Sequence, residues 1–437
     1  MTDCSSDRLS FPACRGRRVE AGFDGGAVTS NGGALLLAQA DRRLGLTAAV
    51  ARRLGDPRQR GKRRHRVVDM VRQRVFGIAL GYEDLNDHAD LRYDLGLQTA
   101  TGRDRALASA PTLCRFENRA DRRWAWAIHE VLVESFIAAF AHPPEEIVLD
   151  IDATDDPVHG HQEGRFFHGY YDRYCFLPLY VFCGDHLLVA WLRPADIDPA
   201  KHSLGILKLL VARLRRAWPG VRIVVRADSG FCRWRLMRWC ERHGVGYILG
   251  LARNARLAAL AAPEMALAEA GFAESGVKHR RFAELTYGAR SWDRERRVIA
   301  RIEHGPRGAN PRFVVTDLAG EGRDLYERLY CARGEMENRI KEQQLQLFAD
   351  RTSCHRWWPN QFRLLLAGLA YTLLNAIRRC GLQGTGMARA QCATIRLKLL
   401  KIGAVIIRNT RRVRFRLSSA CPEQHLFRLV AARLKPG

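Results

Sequence analysis

The sequence predicts an α/β fold, with a helical N-terminal region followed by a mixed-sheet core that carries a mainly β insertion. Three observations predict it. The hydrophobic pattern changes from a helical period to a strand-like one near residue 146. Beyond that point the segments run strand, hairpin pair, helix, strand, helix, strand, an order that builds parallel and antiparallel neighbours into one sheet. Between residues 253 and 325 apolar positions alternate again before two further helices follow. These breaks divide the chain into 1–142, 143–252, 253–325 and 326–437.

In the first segment, Ser30 and Asn31 precede the apolar run of SNGGALLLAQAD and are capping candidates. LGDPRQRGKRRHR (54–66) has too much Gly, Pro and charge for a helix, and predicts a basic loop leading into one. Thr112 is a plausible cap for the helical stretch 109–140, and HPPEE (142–146) marks a boundary. EIVLDIDAT (146–154) opens the core as a short strand. YCFLPLYVFCG (174–184) and HLLVAWLR (186–193) are strands joined by the turn signal Gly184-Asp185. PAKHSLGILKLLVARLRRAW (199–218) is an amphipathic helix, and VRIVVRAD (221–228) is a strand ending on an aspartate. FCRWRLMRWCERHG (231–244) is a helix closed by Gly244, and GYILGLA (246–252) is another strand. RFAELTYGA, RERRVIARIEH and RFVVTDL supply the insertion, and RRVRFRL in the basic tail alternates like a strand.

At about 150 residues per domain, 437 residues suggest two or three domains, and 47% hydrophobic residues suffice for a sizeable core. The formal charge of +25 favours a polyanionic partner, because each neutralised phosphate releases counterions. Nucleic acid is the first candidate and an anionic membrane surface the second; an Arg-rich enzyme with no such partner is the bland alternative. Twelve cysteines, from Cys4 to Cys421, form no CxxC pair and read as reduced, mostly buried thiols of a cytosolic protein. The start lacks the layout of a signal peptide, and LLLAGLAYTLLNAI (364–377) is too short and broken to span a bilayer.

Three acids stand apart. Asp152 ends the first core strand, Asp228 ends the fourth, and Glu337 lies on a later helix. Functional groups collect beyond the carboxyl ends of strands in open α/β sheets, so two such aspartates and a glutamate on a nearby helix are able to converge. Oxygen ligands without His or Cys suit Mg²⁺ or Mn²⁺. Two such ions support phosphoryl transfer. Tyr330, Arg333, Glu337, Lys341 and Gln344 would share a helical arc of roughly 80°, with Met336, Ile340 and Leu347 as an apolar stripe beside them. The bland alternatives are strand-end aspartates that cap turns and a surface ion-pair ladder. Asp150 shares a strand face with Asp152 and is its rival, ahead of Asp155 and Asp156. Arg58, Arg60, Lys62, Arg63 and Arg64 are candidate phosphate contacts. His159 and His161 are either DNA contacts or loop polar groups; Trp357 and Trp358 either stack on a base or pack in the core.

The strings RGEMENRIKE, SNGGALLLAQAD, ALGYEDLNDHADLRYD and LASAPTLCRFEN together resemble the DDE transposases of bacterial insertion sequences, the thirteen-eighty group in particular. That resemblance covers nearly the whole chain and implies a ribonuclease H-like core. It implies a Tyr-x₂-Arg-x₃-Glu-x₆-Lys signature, met here by Tyr330, Arg333 and Glu337 but with Gln344 at the last position, which leaves the basic role to Lys341. It further implies that Asp152, Asp228 and Glu337 are catalytic and hold two Mg²⁺ or Mn²⁺ ions. Tyr330, Arg333 and Lys341 would contact DNA at the element's ends. The partners implied are double-stranded element ends and target DNA, bound as a homodimer or higher oligomer in the bacterial cytoplasm, with no membrane. The rival functions are a metal-dependent nuclease or resolvase without strand transfer, and a non-catalytic sequence-specific DNA-binding protein.

Overall fold

A computed structural model describes residues 8–435; Cys4 lies outside them. The chain forms two compact units, one from Met1–Arg119 with Leu369–Gly437 and the other from Ala120–Gly368. Every described cysteine is a free thiol. Only Cys175, Cys240 and Cys392 are buried, while Cys14, Cys114 and Cys331 are exposed, so the expectation of mostly buried thiols does not hold.

Among the described residues, the first unit begins with a strand pair rather than a helix. Strands β1 (Leu9–Cys14) and β2 (Arg17–Ala21) form an antiparallel hairpin. Its turn residues Arg15 and Gly16 have φ of 49° and 79°, the two left-handed conformations of a tight hairpin turn. An arginine where Asn or Asp is usual hid that turn. Helix α1 (Ala34–Leu44) starts at Gly33 without a side-chain cap, against the expectation for Ser30 and Asn31. Asn31 is buried instead, and its Nδ2 donates to Tyr82 Oη at 3.1 Å and Asp94 Oδ2 at 3.3 Å. Gly32 and Gly33 donate their N–H groups to the carbonyls of Ile402 and Leu400. A Cβ on Gly33 would lie 2.0 Å from the Leu399 carbonyl oxygen, so only glycine permits this approach.

Helix α2 (Leu46–Leu54) is followed by the basic loop, and α3 (Val67–Ala79) begins where the loop ends. Helix α4 (Ala110–Glu117) follows Ser109 rather than Thr112; the two hydroxyls hydrogen-bond at 3.1 Å. Three separate sequence strings meet in one buried polar network. Arg74 of α3 donates to Glu117 at 2.6 Å, with both side chains at most 3% exposed. Gln73 exchanges two hydrogen bonds with the Ala108 backbone. His88 lies 3.1 Å from both Gln73 Nε2 and Arg74 Nη1.

Burial, with the Arg74 charge beside it, lowers the His88 pKa to about 3. The unfolded chain accepts a proton on this histidine near pH 6.5 that the folded chain refuses, so stability falls as pH drops below about 6.5. His129, in the other unit, is lowered to about 4 by burial and acts in the same direction. Between pH 7.5 and 5.5, His88→Gln is expected to lose about 1.4 kcal/mol less stability than the parent. Urea unfolding at the two pH values checks this, and equal losses in both proteins would refute it.

The second unit is built on a mixed sheet. Its principal strands are β3 (Glu146–Ala153), β4 (Leu179–Cys183), β5 (His186–Trp191), β6 (Arg222–Ala227), β7 (Gly246–Leu251), β8 (His279–Tyr287), β9 (Arg296–Gly305) and β10 (Arg312–Thr316), and a ninth short strand, Gly308–Ala309, pairs with β9. Their spatial order is β8-β9-β10-β7-β6-β3-β4-β5. Strand β6 runs parallel to β3 and β7, and the other neighbours are antiparallel. Gly184, at φ 54°, makes the β4–β5 turn that Gly184-Asp185 predicts.

Helices α5 (Arg122–Ile137), α6 (Ser203–Ala217) and α7 (Trp234–Arg242) contribute to the core with one face of β3 and β6. The Ala-rich start of the segment 253–325 forms α8 (Ala255–Ser275), capped by Asn254. Only the second half of that segment is β, and its strands extend the main sheet through the β10–β7 pairing.

Candidate active site

Period 2 sets the two faces of β3. Ile147, Leu149 and Ile151 enter the hydrophobic core, which leaves Asp150 and Asp152 on the opposite face. Asp150 is register partner to Arg226 on β6. The pair is buried and bidentate, at 2.5 Å and 2.7 Å, and Arg226 also donates to the Leu329 carbonyl. Asp150 is thereby committed to a structural ion pair.

Asp152 has a different partner. Arg333 Nη1 lies 3.2 Å from Asp152 Oδ2, and Arg333 Nη2 lies 2.6 Å from Glu337 Oε1. One guanidinium thus bridges two of the three singled-out acids. Asp228 directly follows β6, and its Oδ1 accepts from Gly230 N at 2.9 Å, fixing the tight turn after the strand. Burial pushes the Asp152 carboxyl up to about 7; Arg333 pulls it down, while Asp228 and Glu337 push it further up. The three acids therefore share one electrostatic environment. Burial would lower the Arg333 pKa, but Asp152 and Glu337 hold the guanidinium charged.

The Glu337 side chain is presented by α9 (Gly334–Lys341), anchored by the buried Met336, Ile340 and Leu347. Tyr330 and Arg333 precede α9 in tighter and wider helical turns, so the five-residue row is not one regular helix. Arg333 still reaches Glu337 one turn on. Lys341 is exposed. Gln344 donates to the Asp155 carbonyl at 2.8 Å and so ties the turn after α9 to the loop after β3.

Among the described residues, no three His, Cys, Asp or Glu side chains stand in a metal-binding group. The cation between Asp152 and Glu337 is Arg333. Its place shows that these oxygens accept positive charge, and an all-oxygen donor set suits a hard divalent ion.

Several groups have no counterpart in the sequence-based reading. A cavity of about 520 Å³ adjoins Asp228, Tyr330 and Arg333, and Arg253, Arg301 and Arg312 contribute to its wall. A Cβ on Gly250 would meet Tyr330 Oη at 2.6 Å and Ser229 N at 2.8 Å, so this glycine in β7 makes room for the tyrosine. Burial raises the Tyr330 hydroxyl to about 12, which keeps it a donor. Arg253 follows β7, Arg301 lies midway along β9 and Arg312 opens β10 as its register partner, and no local spacing in the sequence links them.

Other candidates lie elsewhere. Asp156 is buried and bonded to Thr352 at 3.1 Å, and burial raises its pKa. His159 is exposed, and His161 pairs with Arg165 at 2.8 Å. Trp357 packs edge-on against Phe176 and Trp358 against Trp191, which makes both packing residues. In the basic loop, Arg58 forms a bidentate pair with Asp56, and Arg63 donates to the Arg58 and Asp56 carbonyls. These two shape the loop, while Arg60, Lys62 and Arg64 are exposed.

Residues 11–436 match the family described as Transposase DDE domain group 1. The chain belongs to this family. Comparison with curated proteins finds no match. Among solved structures, this DDE transposase is similar to a piggyBac transposase synaptic complex with hairpin DNA, determined by cryo-EM. The TM-score is 0.42 at 10% identity, covering 90% of this chain and 83% of that one. No described helix of the transposase is long and apolar enough to cross a membrane.

Proposed function

We propose that this DDE transposase binds the terminal inverted repeats of a bacterial insertion sequence, cleaves its ends and joins the freed 3′-hydroxyls to target DNA. The observation that carries the proposal is the Arg333 bridge between Asp152 and Glu337, with Asp228 in the same electrostatic environment. The order β5-β4-β3-β6-β7, with two antiparallel strands beside three parallel ones, supports a ribonuclease H-like core. In that reading residues 1–142 serve end binding, and 143–252 with 326–368 form a catalytic core interrupted by 253–325, while 369–437, expected in that core, pack instead with the N-terminal unit. The protein acts in the bacterial cytoplasm, as a dimer or higher oligomer on DNA.

Asp152, Asp228 and Glu337 would hold two Mg²⁺ or Mn²⁺ ions, which supply charge neutralisation for the phosphodiester and activation of the attacking oxygen. Arg333 then exchanges its carboxylate partners for a non-bridging phosphate oxygen. Tyr330 donates a hydrogen bond from its hydroxyl to the terminal nucleotides, and Lys341 adds charge along the same strand. In the first step a water oxygen bonds to phosphorus and the element's 3′-oxygen leaves, taking up a proton. In the second step that 3′-hydroxyl attacks a target phosphodiester, and the target's 3′-oxygen departs. One P–O bond forms and one breaks in each step.

A strand-transfer assay with Mg²⁺ and duplexes carrying the inverted repeats that flank the gene tests this reading. Element ends joined to target DNA are expected. Hydrolysis without joining would replace transposition with nuclease chemistry, and end binding without either product would leave a DNA-binding regulator.

A further inference from the structure

The first unit contains a second concavity, of about 250 Å³, far richer in charge than in any group able to neutralise it. Lys62 and Arg64 enter it from the basic loop, Arg92 from the segment before Leu95, and Arg115 and Arg119 from α4 and its end. No Asp or Glu lines it. Arg58 also faces it but is held by Asp56, so five cations converge there without a lining carboxylate.

Two further polar groups belong to the wall. Arg92 Nε is shut off from solvent and has no hydrogen-bond partner. His65 is 7% exposed; burial and the charges of Arg103 and Arg64 lower its pKa, so it adds no sixth charge near neutral pH. The hydroxyls of Ser109 and Thr112 complete a donor-lined wall over Met70, Leu107 and Phe116. Like charges gathered this way repel one another, and an unpaired buried donor costs further stability. A phosphate in the concavity relieves the repulsion.

We infer that this concavity is a docking site for the sugar–phosphate backbone of duplex DNA, taking consecutive phosphodiesters on Arg64, Arg92, Arg115 and Arg119. The inference rests on the reading of the chain as a DNA-binding transposase and specifies where part of that binding occurs. It also changes the footprint expected from the run 58–64, since Arg58 and Arg63 are occupied internally and α4 supplies their replacements.

The test is a fluorescence-anisotropy titration of the full chain with a labelled inverted-repeat duplex over a range of KCl concentrations. Arg115 and Arg119 are exposed, so changing them leaves packing intact, and thermal melting verifies that each variant folds. The double variant Arg115→Glu/Arg119→Glu is expected to bind at least about tenfold more weakly, with the slope of log K against log [salt] reduced by about 2. Arg115→Lys/Arg119→Lys should retain the parental slope. The same loss of charge at the exposed Arg42 and Arg52, which do not line the concavity, should alter the slope less. An unchanged slope after reversal at 115 and 119, or an equal drop from Arg42→Glu/Arg52→Glu, overturns the docking site while leaving the transposase reading intact. A parent protein that binds no duplex at any salt overturns both.

Discussion

Asp152→Ala, Asp228→Ala and Glu337→Ala are each expected to lower DNA cleavage by roughly 10³-fold or more while end binding persists. Loss of several kcal/mol of charge stabilisation at the reacting phosphate corresponds to that factor. Asp152→Asn adds a second readout. The folded carboxyl, near 7, binds its proton more tightly than the unfolded one, near 3.8. Ionising it therefore works against folding, and stability declines as pH rises from about 4 to 7. At pH 8 the asparagine variant should be more stable than the parent by about 2–4 kcal/mol while inactive. Denaturant unfolding alongside a cleavage assay reports both quantities. An inactive variant that is also less stable would mean that Asp152 is structural, like its neighbour.

Asp150→Ala should behave in the opposite way. Its carboxylate is 3% exposed and satisfies a 9% exposed Arg226 through two hydrogen bonds. Deleting one member of such a pair leaves a buried charge without its counter-ion, a loss of about 3–5 kcal/mol. The variant is expected to melt well below the parent. Replacing both partners, with Asp150→Leu/Arg226→Met, should recover much of the loss. A fully stable but inactive Asp150→Ala would return Asp150 to the catalytic set.

What was legible in the sequence follows from the range of each interaction. The main-sheet strands from Glu146 to Leu251 announced themselves because alternation and turn residues are local, whereas the small separate sheet of Asp156–Pro157, Phe166–His168 and Arg173–Phe176 did not. Met336, Ile340 and Leu347 revealed a buried stripe for the same reason. The different surroundings of Asp150 and Asp152 were not legible, because they depend on Arg226, 76 positions from Asp150, and Arg333, 181 positions from Asp152. Helix α8 was obscured by its own composition: many Ala residues give it little amphipathic contrast, and Pro263 lies inside it. Asn31 looks like a cap in isolation, yet Tyr82 and Asp94 occupy its side chain. Arg58 and Arg63 show that a cationic run can spend part of its charge on its own backbone.

The close seat of Gly32 and Gly33 on Leu399–Ile402 has a consequence for synthesis. Residues 1–119 need the last 69 residues to complete their unit, whereas 120–368 are contiguous. On a ribosome the contiguous unit can acquire its structure while the N-terminal part still waits for a partner not yet translated. A message truncated after residue 368 would release a chain with an intact acid cluster and an unfinished Arg64–Arg119 region, whereas the full-length chain matures both. Assembly order would thus delay one unit until residues 369–437 have emerged.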